Sequence, residues 1–414
     1  MRRDVSWNLV PVVLLAVVGL TLNFSIGGHW GPRALGAFNL VTTSLFAFAV
    51  VGAGGLQFAV LRAVAEDPDD PDRVAAVVVG ALVPNLVLAV LATGAFVLLR
   101  QPIGDLVHST IVPDGILWAA PGLFCFSLNK TLLGVVNGLR RMRAFALYTS
   151  LRYLLIGAGI GQAWALNLPA DHLPVIWSFT EGALLLVLLV ELLMTVSLRR
   201  GTGWTVWARR HLDFGVRSVG ATLAWEINAK LDIWMVGVSL PEAQVGIYSL
   251  AAVVYEGALQ LAVVVQSNVN PVIARHLAEG ELREVEALVS RSRRWFVPVM
   301  VAACAAGAVL YPFVIPWLIR DEAFAAGAVP FAILMGGIAL ASPYLPFNQT
   351  LLMAAKPGWH TVYILAMVAI AFAALALLIP AYGLPGAGAG TAIGLVSSAV
   401  LLRVLVRSRV GVKI

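Results

Sequence analysis

Charge is what this sequence has least of: Asp, Glu, Lys and Arg make up 12% of its 414 residues, about half the roughly 25% of an average soluble domain. A chain so poor in charge cannot clothe a water-facing surface, which excludes a soluble globular domain of this size. Cysteine is scarce too. The two present, Cys125 and Cys304, both fall in apolar stretches and read as plain core residues. Neither a GxxxxGK[ST] phosphate loop nor an HExxH pair occurs, so neither ATP hydrolysis nor zinc proteolysis is written in the chain. The six histidines form no cluster with ligand spacing. The acidic run EDPDDPD at 66–72 has two prolines and no ligand-spaced glycine. It reads as a solvated turn, and no metal or other cofactor is expected.

What is present is hydrocarbon. Hydrophobic residues make up 60% of the chain and the mean hydropathy is +0.89, values that place it in a bilayer. Apolar runs long enough to cross about 30 Å of lipid lie at 7–26, 38–60, 74–99, 115–137, 144–166, 174–196, 214–238, 247–269, 295–318, 328–353, 359–380 and 386–406. The expectation is an all-α polytopic membrane protein of twelve transmembrane helices. The N-terminal MRR leads into a run without a small-residue cleavage site, so it reads as a retained first span.

The positive charges orient the spans. With the N-terminus in the cytoplasm, twenty-one Lys and Arg residues fall on the inner side, while the outer loops hold three, Arg33, Arg100 and Arg320. That asymmetry is a positive-inside signal and places both termini in the cytoplasm. It makes the pI of 9.6 a topology signal; no nucleic-acid partner is implied.

The chain also repeats itself. LNKTLL at 128–133 returns as FNQTLL at 347–352, LGAFNL at 35–40 as VGIYSL at 245–250, and RAVAE at 62–66 as RHLAE at 275–279. Three echoes in one order at offsets of 210, 213 and 219 point to two copies of a six-span unit. An even span number returns each copy to its starting side, so the copies run parallel, as in transporters built from repeats. The expected lobes are 1–196 and 214–414, joined by a basic linker at 197–213 whose Trp204 and Trp207 suit the headgroup layer. Leu282, Val285, Leu288 and Val289 have the spacing of a short helix on the inner leaflet. The outer loops are too short for a further domain.

Ionisable residues deep in spans are unfavourable by about 2.5–3.5 kcal/mol each and face a partner or water. Here they are Lys130, Arg152, Glu181, Glu191, Arg217, Glu226, Lys230, Asp232 and Glu256. Glu191 and Arg217 lie near inner span ends and can snorkel. Glu226 and Lys230, four apart, share a face of span 7; they form a self-neutralising pair or turn that face to a cavity. Lys130 and Arg152 have no acidic partner nearby in sequence and suit an anion-attracting pocket. Glu256 is either the partner of Lys230 or a coupling-ion or proton site. Pro343 and Pro346, followed by Asn348, should kink or break span 10, and broken spans near the midplane often line substrate sites. Asn129 and Asn348, equivalent positions of the LNKTLL and FNQTLL echoes, complete the candidate substrate-binding set. The glycines of VVGAGG at 50–55 and GAGAG at 386–390 suit close helix packing.

The stretches GPRALGAFNLVTTSLFAFAVVGAGGLQFAVLRAVAE, NKTLLGVVNGLRRMRAFALY and DIWMVGVSLPEAQVGIYSLA resemble the polysaccharide-export flippases of the multidrug/oligosaccharidyl-lipid/polysaccharide (MOP) exporter superfamily. The resemblance implies two six-helix bundles around a central cavity, alternating access, and a substrate of undecaprenyl-pyrophosphate-linked oligosaccharide carried across a bacterial plasma membrane. It implies Lys130, Arg152 and Lys230 as the cations facing the pyrophosphate, and it matches Asp232 to the family's acid late in span 7. Glu226 and Glu256 are the other candidate coupling or cavity acids. Partners would be the lipid-linked glycan, membrane lipids, and the glycan polymerase and glycosyltransferases of the same pathway. The function is transport, with no catalytic residues. A cation-coupled multidrug exporter of the same superfamily is the alternative, which Glu226 and Glu256 keep open. A membrane-embedded polymerase or ligase would need reacting groups in outer loops that are too short to hold them.

Overall fold

The computed structural model describes the backbone from Arg2 to Ile414, and the side chains from Leu14 onward except those at 15, 16, 200, 221 and 225. Arg2 and Arg3 of the N-terminal MRR and Arg200 of the expected linker therefore lie outside the described side chains. All regular structure among the described residues is helical. Two compact units form, Met1–Lys230 and Leu231–Ile414.

The first unit is built from α1 (Arg2–Ala53), α2 (Leu56–Glu66), α3 (Pro71–Leu98), α4 (Arg100–Leu106), α5 (Val112–Gly138), α6 (Met142–Ala165) and α7 (Val175–Thr195). The apolar part of α1, Val17–Ala53, has 37 residues, about 55 Å at 1.5 Å per residue and nearly twice the hydrocarbon thickness. The chain solves this at Gly31, whose φ of 82° and ψ of 176° belong to a region open essentially to glycine alone. The break is pinned from α6 and the segment after it. Trp30 donates to the Leu168 carbonyl at 2.7 Å, and Trp164 donates to His29 at 3.0 Å. Gly31→Ala should therefore cost about 1–3 kcal/mol, read as a lower unfolding midpoint of the purified protein. The expected span at 38–60 does not run through. Gly54 and Gly55, at φ 57° and 72°, turn the chain between α1 and α2, and the glycines of this stretch also admit close packing: a Cβ on Gly55 would collide with the Ser218 hydroxyl and lie 3.3 Å from Gly215, and one on Gly52 would collide with the Ser127 hydroxyl. The acidic turn that follows caps α3: the Asp70 carboxylate accepts from the backbone N–H groups of Asp72 and Arg73 at 3.0 and 3.1 Å, with Pro71 at the first helical position.

α8 (Trp204–Ser239) begins in the expected linker and ends in the second unit, the division falling between Lys230 and Leu231. Its first turns dock on α3, where buried His211 hydrogen-bonds the Val77 carbonyl at 3.2 Å. Burial pushes this imidazole below its ordinary value. The folded state thus resists a proton that the unfolded chain accepts, so stability is full above about pH 6.5 and is lost as pH falls below it. His211→Asn should flatten a melting-temperature profile measured between pH 7 and pH 5.

The second unit continues with α9 (Glu242–Ala278), α10 (Leu282–Ile319), α11 (Ala328–Ala341), α12 (Thr350–Met353), α13 (Pro357–Tyr382) and α14 (Leu384–Arg409). The stretch expected as a separate surface helix at 282–289 is the first part of α10, which runs 38 residues without a break. Its Val285 and Val289 are buried with Val412 and Ile414 of the C-terminal tail. Alternate glycines of GAGAG do make close approaches. A Cβ on Gly388 would meet the Pro330 carbonyl oxygen at 2.8 Å, and one on Gly390 the Leu375 backbone nitrogen at 2.9 Å. Ten stretches among the described residues are long and apolar enough to cross a membrane. One of these is α1 with its break at Gly31; α8, carrying Arg217, Glu226, Lys230 and Asp232, is not among them.

The duplication shows in the contacts. In the first unit Asn39 donates to Asn23 at 3.0 Å, and in the second Tyr248 donates to Asp232 at 2.9 Å, each pair sixteen residues apart across a helical hairpin. The two copies differ where the proline pair predicts. LNKTLL lies inside continuous α5, whereas after Ala341 the second copy leaves the helix, makes a short 3-10 turn at Leu345–Phe347, and resumes only at Thr350.

Candidate functional site

Helices α5, α6 and α7 meet at a polar cluster inside the first unit. Phe126, Asn129 and Lys130 stand at i, i+3 and i+4 on α5 and so share one face; Arg152 enters from α6 and Glu181 from α7. Glu181 is fully buried, where a bare carboxylate would cost several kcal/mol. Arg152 meets it. One guanidinium nitrogen donates to Glu181 Oε2 at 3.1 Å, while Nε lies 2.8 Å from Oε1 at an angle too poor for a hydrogen bond. The Asn129 side-chain nitrogen donates both to Glu181 Oε2 and to its backbone carbonyl, each at 2.9 Å. Arg152 is thus a paired charge rather than the open cation its sequence surroundings suggest.

Lys130 is different. Its ammonium stands 5.0 Å from the Phe126 ring centre, and the Arg152 guanidinium stands 4.8 Å from the same ring, both within cation-π range. The charges it feels most are Glu226 of α8, then Arg152 and Glu181. It is half-buried and forms no salt bridge among the described residues. Four of the residues singled out by sequence, Asn129, Lys130, Arg152 and Glu181, are therefore brought together. Phe126 completes the group.

The remaining residues group in other ways. Lys230 is half-buried at the last position of the first unit. Asp232 accepts from the fully buried Tyr248, whose hydroxyl also lies 3.1 Å from Thr391 of α14. Tyr255, about two turns further along the same face of α9, feels both Asp232 and Glu256. Asn348 accepts from Gln266, and Asn270 donates to Gln349 at 2.8 Å. Arg293 of α10 donates to the Pro343 carbonyl at 2.6 Å and lies 4.5 Å from the Tyr344 ring centre. The break after α11 is therefore a fastened element, with its freed backbone partly satisfied by α10 and its polar side chains by α9. Pro343→Ala with Pro346→Ala restores the helix donors but not the room for a straight helix against Arg293; loss of this Arg293 contact should show as faster proteolysis at 342–349.

A family described as polysaccharide biosynthesis protein matches residues 2–276, about two thirds of the chain. The chain belongs to that family. The match contains every residue of the Phe126–Glu181 cluster, together with Glu226, Lys230, Asp232 and Glu256; Asn348 lies beyond it. No curated protein sequence matches this family member. Among solved structures, an inward-facing multidrug resistance MATE family transporter of the MOP superfamily aligns with a TM-score of 0.79 at 14% identity, covering 99% of this chain and 98% of the other. The lipid II flippase MurJ, in an inward closed conformation, aligns at 0.76 and 12% identity, covering 97% and 87%. A MOP superfamily transporter from Pyrococcus furiosus, described as having a binding pocket of reversed polarity, aligns at 0.60 and 14%, covering 99% and 94%. Identities this low establish the fold. This member of the family is an all-α, multi-pass membrane protein with the architecture of the MOP transporters.

Proposed function

We propose that the chain carries a lipid-linked oligosaccharide, borne on undecaprenyl pyrophosphate, from the cytoplasmic to the outer leaflet of a bacterial plasma membrane for surface polysaccharide assembly. The observation that carries this reading is the family match across residues 2–276; the lipid II flippase among the structures of like fold supports it. A glycan cannot cross hydrocarbon unaided, because its hydroxyls would give up hydrogen bonds to water. A transporter must replace those bonds and neutralise the phosphates. Lys130 is the cation placed to meet the phosphates, because its ammonium is tied to an aromatic face and not to a carboxylate. Arg152, Glu181 and Asn129 hold that face in place. Lys230 is proposed as a further phosphate contact and Asn348 as a glycan contact, with Glu226, Asp232 and Glu256 as the acids that take up a coupling ion or proton. No bond in the substrate is broken, so the role is not enzymatic. Both termini lie in the cytoplasm, and the working partners are the polymerase and transferases that make and extend the glycan.

Deleting the gene tests the reading. Lipid-linked repeat units should accumulate inside the cell and surface polysaccharide should disappear, with both restored by the wild-type copy. Intact surface polysaccharide combined with new sensitivity to cationic drugs would replace this reading with the multidrug exporter.

A further inference from the structure

Away from the cluster just described, the first unit contains a pocket of about 470 Å³ where α2, the start of α3 and the first turns of α8 come together. Its walls carry Arg62, Arg73, Arg210 and His211 against a single carboxylate, Glu66, around the indole of Trp207. We propose that this pocket binds the phosphate headgroup of an anionic phospholipid of the inner leaflet.

The charge balance favours an anion. Glu66 lies 3.4 Å from Arg62 and 2.9 Å from Arg73, and Asp67 lies 3.5 Å from Arg73. Those two carboxylates leave Arg210 with no acidic partner among the described residues. Trp207 is flanked by both arginines, with Arg73 at 5.5 Å and Arg210 at 5.0 Å from its ring centre, which holds the guanidinium groups beside the opening rather than free in water. His211 is fixed by its bond to Val77.

The pocket is also built for close packing. A Cβ on Gly80 of α3 would lie 2.6 Å from the Trp207 Cβ and 2.8 Å from the Trp204 carbonyl oxygen. Only glycine lets α8 come near enough to close this wall.

The surroundings select a lipid over a free anion. Ala59 and Phe214 line the same pocket, and the helices that form it expose Phe58, Leu212 and Val216. Free phosphate gains nothing from those apolar groups, whereas an acyl chain does. Under the proposed orientation this end of the bundle faces the inner leaflet, the side on which basic pockets between helices meet anionic headgroups.

The test is native mass spectrometry of the full-length protein titrated with phosphatidylglycerol or phosphatidylcholine. Wild type should retain phosphatidylglycerol selectively. Arg62→Gln with Arg210→Gln should weaken that binding about 25-fold, since each surface cation near an anionic lipid is worth on the order of fivefold and the two contributions multiply. Arg62→Lys with Arg210→Lys keeps the charge and should stay within about threefold. As a control, Arg283→Gln with Arg291→Gln on exposed α10 sites should change binding less than about twofold. Unchanged melting of the Gln pair shows that it folds; if that pair melts early, Arg62→Gln alone, at an exposed side chain, should still weaken binding about fivefold, and no loss there overturns the site. Equal loss in the α10 control, or no loss in the pocket variants, overturns the site. Displacement by millimolar inorganic phosphate, or stoichiometric displacement by undecaprenyl pyrophosphate, overturns the phospholipid assignment in favour of a free anion or the transported lipid.

Discussion

Lys130→Gln will reduce export of the lipid-linked glycan roughly ten- to a hundredfold while the protein still inserts and accumulates. The magnitude is that of one charge-assisted contact, about 1.5–3 kcal/mol. Folding should survive because Lys130 is half-buried and has no salt bridge among the described residues; its ring contact with Phe126 is worth about 0.5–1 kcal/mol. Lys130→Arg keeps the charge and should keep most of the export. Initial rates in inverted vesicles, normalised to the amount of inserted protein, check the pair. Normal rates in the Gln variant remove Lys130 from the substrate path.

Arg152→Gln has an equally large effect of another kind. Glu181 would be left fully buried with only Asn129 to answer its charge, and breaking a buried pair from one side costs about 3–5 kcal/mol. The expected result is a protein that melts far earlier or fails to accumulate. Arg152→Leu combined with Glu181→Leu removes both charges and should recover most of that loss, as apolar replacement of buried pairs often does. The comparison separates a structural ion pair from a substrate contact. A stable, transport-dead Arg152→Gln protein would return Arg152 to the substrate.

The contrast between these residues marks how far the sequence could be read. Both were visible as deep cations without an acid nearby in the chain, and sequence spacing could not tell them apart. Depth could not either: Lys130 lies about 12 Å from the end of α5 and Arg152 about 15 Å from the start of α6, at 1.5 Å per residue, so only the packing of α5, α6 and α7 decides which of them meets Glu181. The break of span 10 was legible because Pro343 and Pro346 act through local backbone chemistry. Its fastening by Arg293 was not, since that contact comes from a residue fifty positions away. Close packing by the glycines at 50–55 was legible, but the turn at Gly54–Gly55 was not, because glycine serves both purposes and only the backbone angles reveal the turn. Helix class and duplication were clear from hydropathy and echoes, which depend on composition along the chain and not on who meets whom.

Reconstitution addresses the central claim most directly. Purified protein in liposomes loaded with a fluorescent undecaprenyl-pyrophosphate oligosaccharide should make the inner-leaflet glycan accessible to an added membrane-impermeant glycosidase, and Lys130→Gln should slow that exposure at least about tenfold. If exposure matches protein-free liposomes while a cationic dye is transported equally well by wild type and Lys130→Gln, the account of a lipid-linked glycan recognised through its phosphates is contradicted.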